Sequence, residues 1–524
     1  MDLAVAWSLV EKARTLLAAE QGAVVKDWGG RLPIALVYPS PYYVGMSSLG
    51  LQSVYRLFNS REDVVCERVF LNLGRRSGDL ELVSLESQRP LTDFAVVAFS
   101  VSYELDYIHL VQVLREAGIP PLAEDRGGWP LVIAGGAAVT GNPAPLAAVV
   151  DAAYIGEIEE VVDTLVPALT ATLQEPPDLG ALSGVPGVYV PDRAASGSPP
   201  RPVQRQWTRD LDRWPADTAV STRFTEFGDM HLVEAARGCA RGCRFCLAGQ
   251  IYRPLRGRSP EKVLQAAEVA VNEGRTIGLL APSLSDWRGL RPVLENLVAR
   301  GARVSVSSLR ADTLDDNLAR LLVAAGNESL TIAPEAGSQR LRDEIGKHLD
   351  REEILSAAEV AERHGLAELK LYFMLGLPTE TDADAQAAAD LVLEIRSLFR
   401  RRIVANVAGF VPKASTPFQW HGMAPTAVIG RRMRLFERGL RGSAVDVRAE
   451  SPRWGRLQAV FSRGDERVGR ALAATIGYGR GQVEQALGEA GVDLQAAAGE
   501  WPVGSATPWD FLEPFRRGTA GGLE

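Results

Sequence analysis

Cysteine and histidine are scarce in this chain, four and five in 524 residues. No apolar run approaches the roughly 18 residues needed to cross a bilayer. The start, Met1 to Arg14, mixes apolar residues with Asp2, Glu11 and Lys12 instead of setting a basic region before an apolar block. A cytoplasmic protein without membrane contact is therefore expected. Positive charge is also short: 57 Lys and Arg stand against 65 Asp and Glu, a net charge of -8, so no broad nucleic-acid-binding face is indicated. The few cysteines are unevenly placed. Cys66 is alone, whereas Cys239, Cys243 and Cys246 fall within eight positions, which is not the pattern of a disulfide scaffold and points to metal.

What is present is ordinary for a folded globular protein, 46% hydrophobic and 23% charged residues, in a chain longer than one core usually supports. After a helix expected over 3–19, short apolar runs at 34–38, 94–99, 131–134 and 152–155 alternate with helical patterns at 106–117 and 157–173. That alternation predicts a doubly wound, Rossmann-like α/β domain. The stretch PDRAASGSPPRP, 191–202, reads as a loop or linker. From His231 a strand-then-helix unit repeats six times, with strands near 232–235, 276–280, 303–307, 329–333, 369–375 and 403–410. The helices are well marked: Ser259-Pro260-Glu261 is an N-cap, a proline at the first helical position and an early acid, and Gly274 is a stop. This predicts a partial (βα)6 TIM-like barrel whose site lies at the C-terminal strand ends. After about Val445 the pattern turns helical, in a small C-terminal region ending in a Gly-containing tail. The expected organisation is 1–195 for the first domain with its N-terminal helix, 196–225 for a linker, 226–440 for the barrel and 441–524 for the helical region.

Cys239-Ala-Arg-Gly-Cys243-Arg-Phe-Cys246 follows the first barrel strand directly, where a catalytic loop is expected. Soft thiolates select iron-sulfur clusters or zinc. Three cysteines can hold three irons of a cubane and leave the fourth open to an exogenous ligand, while small Ala240 and Gly242 let the loop wrap a cluster closely. The alternative is a zinc site completed by His231 or an acid.

This CxxxCxxC loop, placed after the first strand of a six-unit βα barrel, resembles the radical S-adenosylmethionine (SAM) superfamily. The resemblance implies a 4Fe-4S cluster whose open iron is chelated by SAM, and reductive cleavage of SAM to methionine and a 5'-deoxyadenosyl radical. It implies an electron donor such as flavodoxin or ferredoxin and a substrate that no motif identifies. It also suggests roles at the strand ends. Ser283, in Ala281-Pro282-Ser283-Leu284-Ser285, stands where the superfamily usually has a glycine-rich turn for the methionyl amino group. Ser308 and Arg310 follow the third strand, with Arg310 suited to the SAM carboxylate. Glu335, after the fourth, is suited to the ribose or amino group, although an acid there also favours the following helix. Gly376 and Pro378 resemble the adenine-supporting turn, and Phe245 is expected to flank the adenine or to pack beneath the loop. The basic run Arg253 to Arg258 reads as anion-holding or solvated arginines.

The first domain is similar to the cobalamin-binding domain of cobalamin-dependent radical SAM proteins, over segments such as YYVGMSSLGLQSVY, VIAGGAAVTGNPAPL and YIGEIEEVV. The Asp-x-His-x-x-Gly signature of that domain is missing, because the loop from Ser40 to Gly50 has no histidine. Any cobalamin bound there would lack a lower histidine ligand, and its reaction would be a radical methylation. Gly135-Gly136 and Gly156-Glu157 read as tight turns or as a nucleotide-binding loop. A tRNA methylthiotransferase would need three further cysteines for a second cluster, and only Cys66 remains. A non-catalytic iron-sulfur or zinc scaffold is the remaining alternative class.

Overall fold

A computed structural model describes residues 3–71, 82–173, 178–192, 201–215 and 217–513. The tail from Gly518 and most of the 191–202 stretch lie outside the described residues. The first sheet has six strands, β1 Leu32–Tyr38, β2 Val64–Phe70, β3 Val96–Ser100, β4 Leu131–Gly135, β5 Ala152–Tyr154 and β6 Val188–Tyr189, in the order β2-β1-β3-β4-β5-β6. All neighbours are parallel except β5 and β6. Strands such as Ile34–Val37 and Val96–Val97 are buried throughout, as a parallel sheet covered on both faces requires. The order reverses between β1 and β3, and in such sheets ligands bind at that switch point, beyond the C-terminal strand ends.

The second half carries β7 His231–Glu234, β8 Ile277–Leu280, β9 Val304–Val306, β10 Ser329–Glu335, β11 Glu368–Leu375, β12 Arg402–Gly409 and β13 Val445–Ala449. They form two parallel sheets, β9-β8-β7 and β10-β11-β12-β13. A backbone hydrogen bond of 3.1 Å from the Leu309 N–H to the Thr331 carbonyl joins the two sheets into one partial barrel. The helix Pro260–Glu273 starts at Ser259, whose hydroxyl accepts from the Lys262 N–H, and stops at left-handed Gly274. The barrel thus has the six expected strands and a seventh, β13, where sequence periodicity suggested the start of helices.

The C-terminal helices are more than an appendage. Asn142 of the first domain donates to the Ser462 and Gly464 carbonyls at 3.1 and 2.9 Å, and Lys413, beyond β12, pairs with Glu104 at 2.6 Å. Arg463 in turn donates to the Gln419 and His421 carbonyls at 3.1 and 3.0 Å, so the C-terminal region packs on both preceding units. No described helix is long and apolar enough to cross a membrane.

Candidate cofactor site

The cysteine loop leaves β7 through Gly238, which is left-handed (φ 85°) and so close to the next turn that a Cβ would lie 2.3 Å from the carbonyl oxygens of Tyr252 and Pro254. Only glycine fits. Cys246 then caps the helix Leu247–Ile251, its sulfur accepting from the Gly249 N–H at 3.3 Å, and the Cys239 sulfur accepts from the Arg241 N–H at 3.5 Å. The Gly249 N–H favours the Cys246 thiolate over the thiol. Burial pushes the Cys243 and Cys246 thiols up, with the Glu335 carboxylate adding to the rise and Lys347 opposing it. A coordinated cation removes such protons outright.

Arg241, within the loop, anchors it to the neighbouring strand ends. Its Nε donates to Asp286 Oδ2 at 2.9 Å and its Nη1 lies 3.5 Å from Asp312. Asp286 also accepts from the Ser283 hydroxyl at 2.7 Å. Arg310 is turned onto Asp312, at 2.9 Å, and donates to the His348 carbonyl at 2.8 Å. The loops after β7, β8 and β9 are thereby locked by one charged network, in which Arg310 has protein partners already and Ser308 is exposed. Glu335 sits at a bulge of β10 in a left-handed conformation (φ 68°) and pairs with Lys347 at 3.1 Å. A non-glycine residue held there is strained, a condition that collects at functional sites.

Left-handed Gly376 (φ 86°) directs its N–H to Glu380 Oε2 at 2.6 Å, with half-buried Pro378 in the same turn. Phe245 packs on the small core formed by Ala336, Leu341, Ile345, Leu377, Phe410 and Phe418, and also lines a cavity beside Cys246. All these residues gather at one end of the barrel. Nearby, Asp384 accepts from the Ser338 hydroxyl at 2.5 Å, the Thr381 N–H at 2.8 Å and hydroxyl at 2.7 Å, and Arg340 at 2.5 Å. Burial alone would raise its carboxyl, but these donors hold it at about 2. The folded value is below the unfolded one, about 3.9, so its contribution to stability is present above pH 4 and is lost as pH falls through that window. Asp384→Asn should accordingly lower the melting temperature at pH 7, and the gap to the unsubstituted protein should close between pH 4 and pH 2. A gap constant with pH would refute the assignment.

Two arginines of the basic run prove neither solvated nor free. Arg256 is clamped by both oxygens of Glu157, at 2.7 and 2.8 Å, and Arg258 by Glu234 at 2.6 Å. Glu157 belongs to the first domain, so the Arg256 pair ties it to the barrel, whereas the Arg258 pair lies within the barrel. His231 begins β7, at the end of the strand opposite the cysteines, and its Nε2 lies 3.0 Å from the Ala266 carbonyl. It is not a fourth ligand. Among the described residues no three or more His, Cys, Asp and Glu side chains converge on a single metal position. Cys66 is fully buried in β2.

Between the two domains lies a cavity of about 440 Å³ at the C-terminal ends of β1, β3, β4 and β5, reached from the barrel side by Arg237, Tyr252 and Pro282. Its walls are largely apolar or small, including Leu36, Gly50, Val54, Leu57 and Ile133, and no histidine lines it. Gly136 and Gly156, positive in φ, are required by backbone contacts: a Cβ would lie 2.4 Å from the Val101 carbonyl oxygen and 2.1 Å from that of Gln206. Tight packing therefore accounts for these glycines, while the chain around them shapes the cavity. Sequence reasoning missed Arg241 and Lys347, and read Glu157 as part of a turn or nucleotide-binding loop without its arginine partners. Only Arg241 carried a signal, its place inside the cysteine motif.

A three-cysteine loop at the mouth of a partial parallel barrel, behind a doubly wound domain, defines a cofactor-dependent α/β enzyme. Family models agree: one described as the radical SAM superfamily matches residues 233–392, and one described as radical SAM proteins, N-terminal, matches residues 50–191. The chain belongs to the radical SAM superfamily and is a radical SAM enzyme, a class that works with a 4Fe-4S cluster, SAM, a reductant and a substrate. An uncharacterised protein of Methanocaldococcus jannaschii is 29% identical over 441 residues, spanning 84% of this chain and 90% of its own length. A tRNA-2-methylthio-N(6)-dimethylallyladenosine synthase of Acidithiobacillus ferrooxidans is 29% identical over 189 residues, but this match covers only 32% of the chain and 41% of that protein. Among solved structures, the radical SAM methyltransferase TsrM of Kitasatospora setae, with cobalamin and a [4Fe-4S] cluster bound, shares the fold with a TM-score of 0.55 at 14% identity, over 88% of this chain and 99% of its own.

Proposed function

We propose that Cys239, Cys243 and Cys246 hold the 4Fe-4S cluster, and that the strand-end residues Ser283, Ser308, Arg310, Glu335, Gly376 and Pro378, with Phe245, form the bed for SAM. The observation that carries this reading is the convergence of the loops after β7, β8 and β9 through Arg241, Asp286, Asp312 and Arg310. A mononuclear zinc needs four donors at about 2.0–2.3 Å, whereas the loop supplies three free cysteines, the set that holds three irons of a cubane and leaves the fourth open. With the cluster and SAM bound, the chemistry supplied is reductive cleavage to a 5'-deoxyadenosyl radical. The chain's own residues orient the cluster loop, pair Lys347 with Glu335 beside it and hold Cys243 and Cys246 half-buried. Flavodoxin or ferredoxin is the proposed electron donor.

The interdomain cavity favours a second reading, a cobalamin-dependent methyltransferase. Its position at the switch point of the sheet, its apolar walls and its opening toward the barrel suit the nucleotide tail of cobalamin. With no histidine in the lining, cobalt would carry no lower histidine.

The anaerobically reconstituted, dithionite-reduced protein is expected to form 5'-deoxyadenosine from SAM, and its absence would refute the main reading. Loading with cob(II)alamin tests the second. Retention through gel filtration, with a paramagnetic resonance spectrum free of nitrogen triplets from a protein ligand, is expected. Failure to retain it would leave a radical SAM enzyme with a repurposed first domain.

A further inference from the structure

A second cavity, of about 870 Å³, opens beside Cys246 and is built from four parts of the chain: the cysteine loop, the segment after β12, the start of the helix Asp106–Glu116 and the C-terminal region. We propose that it admits a substrate carrying an aromatic ring and a cationic amine. The inference rests on the reading of Cys246 as a cluster ligand, which makes this the space next to the radical chemistry.

The size falls within the range of small-ligand sites, about 300–1,000 Å³. Its aromatic wall is left open. Tyr103 is 44% exposed and Trp454 36%, both large rings facing a concave space instead of a core. They belong to one wall, because the Tyr103 hydroxyl lies 3.3 Å from Gln458 Oε1, and Gln458 follows Trp454 by one turn on the helix Pro452–Arg463. Leaving such rings uncovered forgoes burial worth about 25 cal/mol per Å², and a planar apolar group against them restores it.

The charges then set the rest of the ligand. Two acidic and two basic side chains face the cavity: Asp106 and Glu450, Lys413 and His109. Lys413 is already neutralised, its ammonium 2.6 Å from the buried Glu104 carboxylate. His109 lies 3.3 Å from Asp106. Glu450 is exposed and forms no ion pair among the described residues. At least one carboxylate, that of Glu450, is therefore in surplus beside open aromatic faces, the combination that binds organic cations through charge and cation–π attraction. Lys413 shows that the Tyr103 ring accepts a cation, its ammonium standing 5.9 Å from the ring centroid. A polyphosphate chain meets the opposite field, so a nucleic-acid substrate is disfavoured at this wall.

The test uses the reconstituted holoenzyme with SAM and three probes of one shape and different charge: 2-(1-naphthyl)ethylamine, 2-(1-naphthyl)ethanol and 1-naphthylacetate. By anaerobic equilibrium dialysis the amine should bind about tenfold more tightly than the alcohol, with the acetate weakest. Glu450→Gln should weaken the amine about fivefold, the size of one exposed ion pair, and leave the alcohol unchanged. Trp454→Ala should weaken both. Glu450 is exposed, so its replacement leaves the fold intact. Equal binding of the three probes, no binding of any, or displacement of the amine by a single-stranded RNA oligonucleotide at lower concentration would overturn the inference. If the unsubstituted protein holds iron and cleaves SAM yet shows no charge preference, the substrate inference alone fails. If it neither holds iron nor cleaves SAM, the cluster reading fails first.

Discussion

Cys243→Ala protein, reconstituted anaerobically, is expected to lose the visible charge-transfer absorbance and all 5'-deoxyadenosine formation, while Cys66→Ser reconstitutes and cleaves SAM as the unsubstituted protein does. The contrast follows from placement. Cys243 lies in a loop fastened by Gly238, Arg241 and the Cys246 cap, at the barrel mouth where the strand-end loops meet. Cys66 is sealed in the first sheet, its N–H donating to Asn59 Oδ1 at 3.1 Å and its carbonyl accepting from Asn59 Nδ2 at 2.9 Å. Burial also drives the Cys66 thiol well above its usual range, so it is a poor ligand as well as a remote one. Stoichiometric zinc in place of iron, or loss of the cluster in the Cys66 variant, would refute the assignment of the three loop cysteines. The two measurements together separate a ligand from a merely structural cysteine, since both substitutions remove one sulfur.

The parts of the fold legible in the sequence were those where one physical signal dominated. Strands β1, β3, β4 and β5 are nearly unbroken apolar runs, as a sheet buried on both faces demands. β2 reads VVCERVF, and its Glu67 and Arg68 disguise it as surface. Both are in fact about 1% exposed, with Arg68 held between Glu20 at 2.6 Å and Glu86 at 2.7 Å, partners that lie far away in sequence. A buried charge is invisible to hydrophobic patterning because its compensation is tertiary. The helix expected from Glu157 begins at Val162 for a similar reason. Glu157 and Glu159 are drawn out of it toward arginines of the barrel. β13 escaped because Val445–Ala449 is short and alternates apolar with charged residues at the sheet edge. For the site, the cysteine spacing was legible in full, whereas the bonding state of Arg310, Arg256 and Arg258 was not, since nothing local tells a free guanidinium from a paired one.

Glu157→Ala is expected to cost about 3–5 kcal/mol of stability, the penalty for leaving a buried charge without its partner. The Glu157 side chain is 3% exposed and that of Arg256 8%. One oxygen accepts from Arg256 at 2.7 Å, and the other accepts from Arg256 at 2.8 Å, Arg237 at 2.9 Å and the Thr208 N–H at 2.9 Å. The loss falls unevenly on the two arginines. Arg237 keeps Glu159 at 2.8 Å and Glu234 at 2.9 Å, whereas Arg256 keeps no carboxylate, only backbone carbonyls such as that of Tyr252 at 3.1 Å and the face of Trp207 at 5.3 Å. Arg256 is therefore the uncompensated charge, and the double variant Glu157→Ala, Arg256→Met should recover most of the loss, because removing both members of a buried pair spares the desolvation penalty that removing one exposes. Glu157→Gln should fall between, retaining an acceptor without the charge. Thermal unfolding of the three variants decides: a single-variant cost below about 1 kcal/mol would mean that water reaches the pair as it reaches a surface ion pair. Glu157 also lines the interdomain cavity. The same carboxylate thus fastens the first domain to the barrel and fixes one wall of the space between them, so the stability loss should be accompanied by weaker retention of any cofactor that fills it.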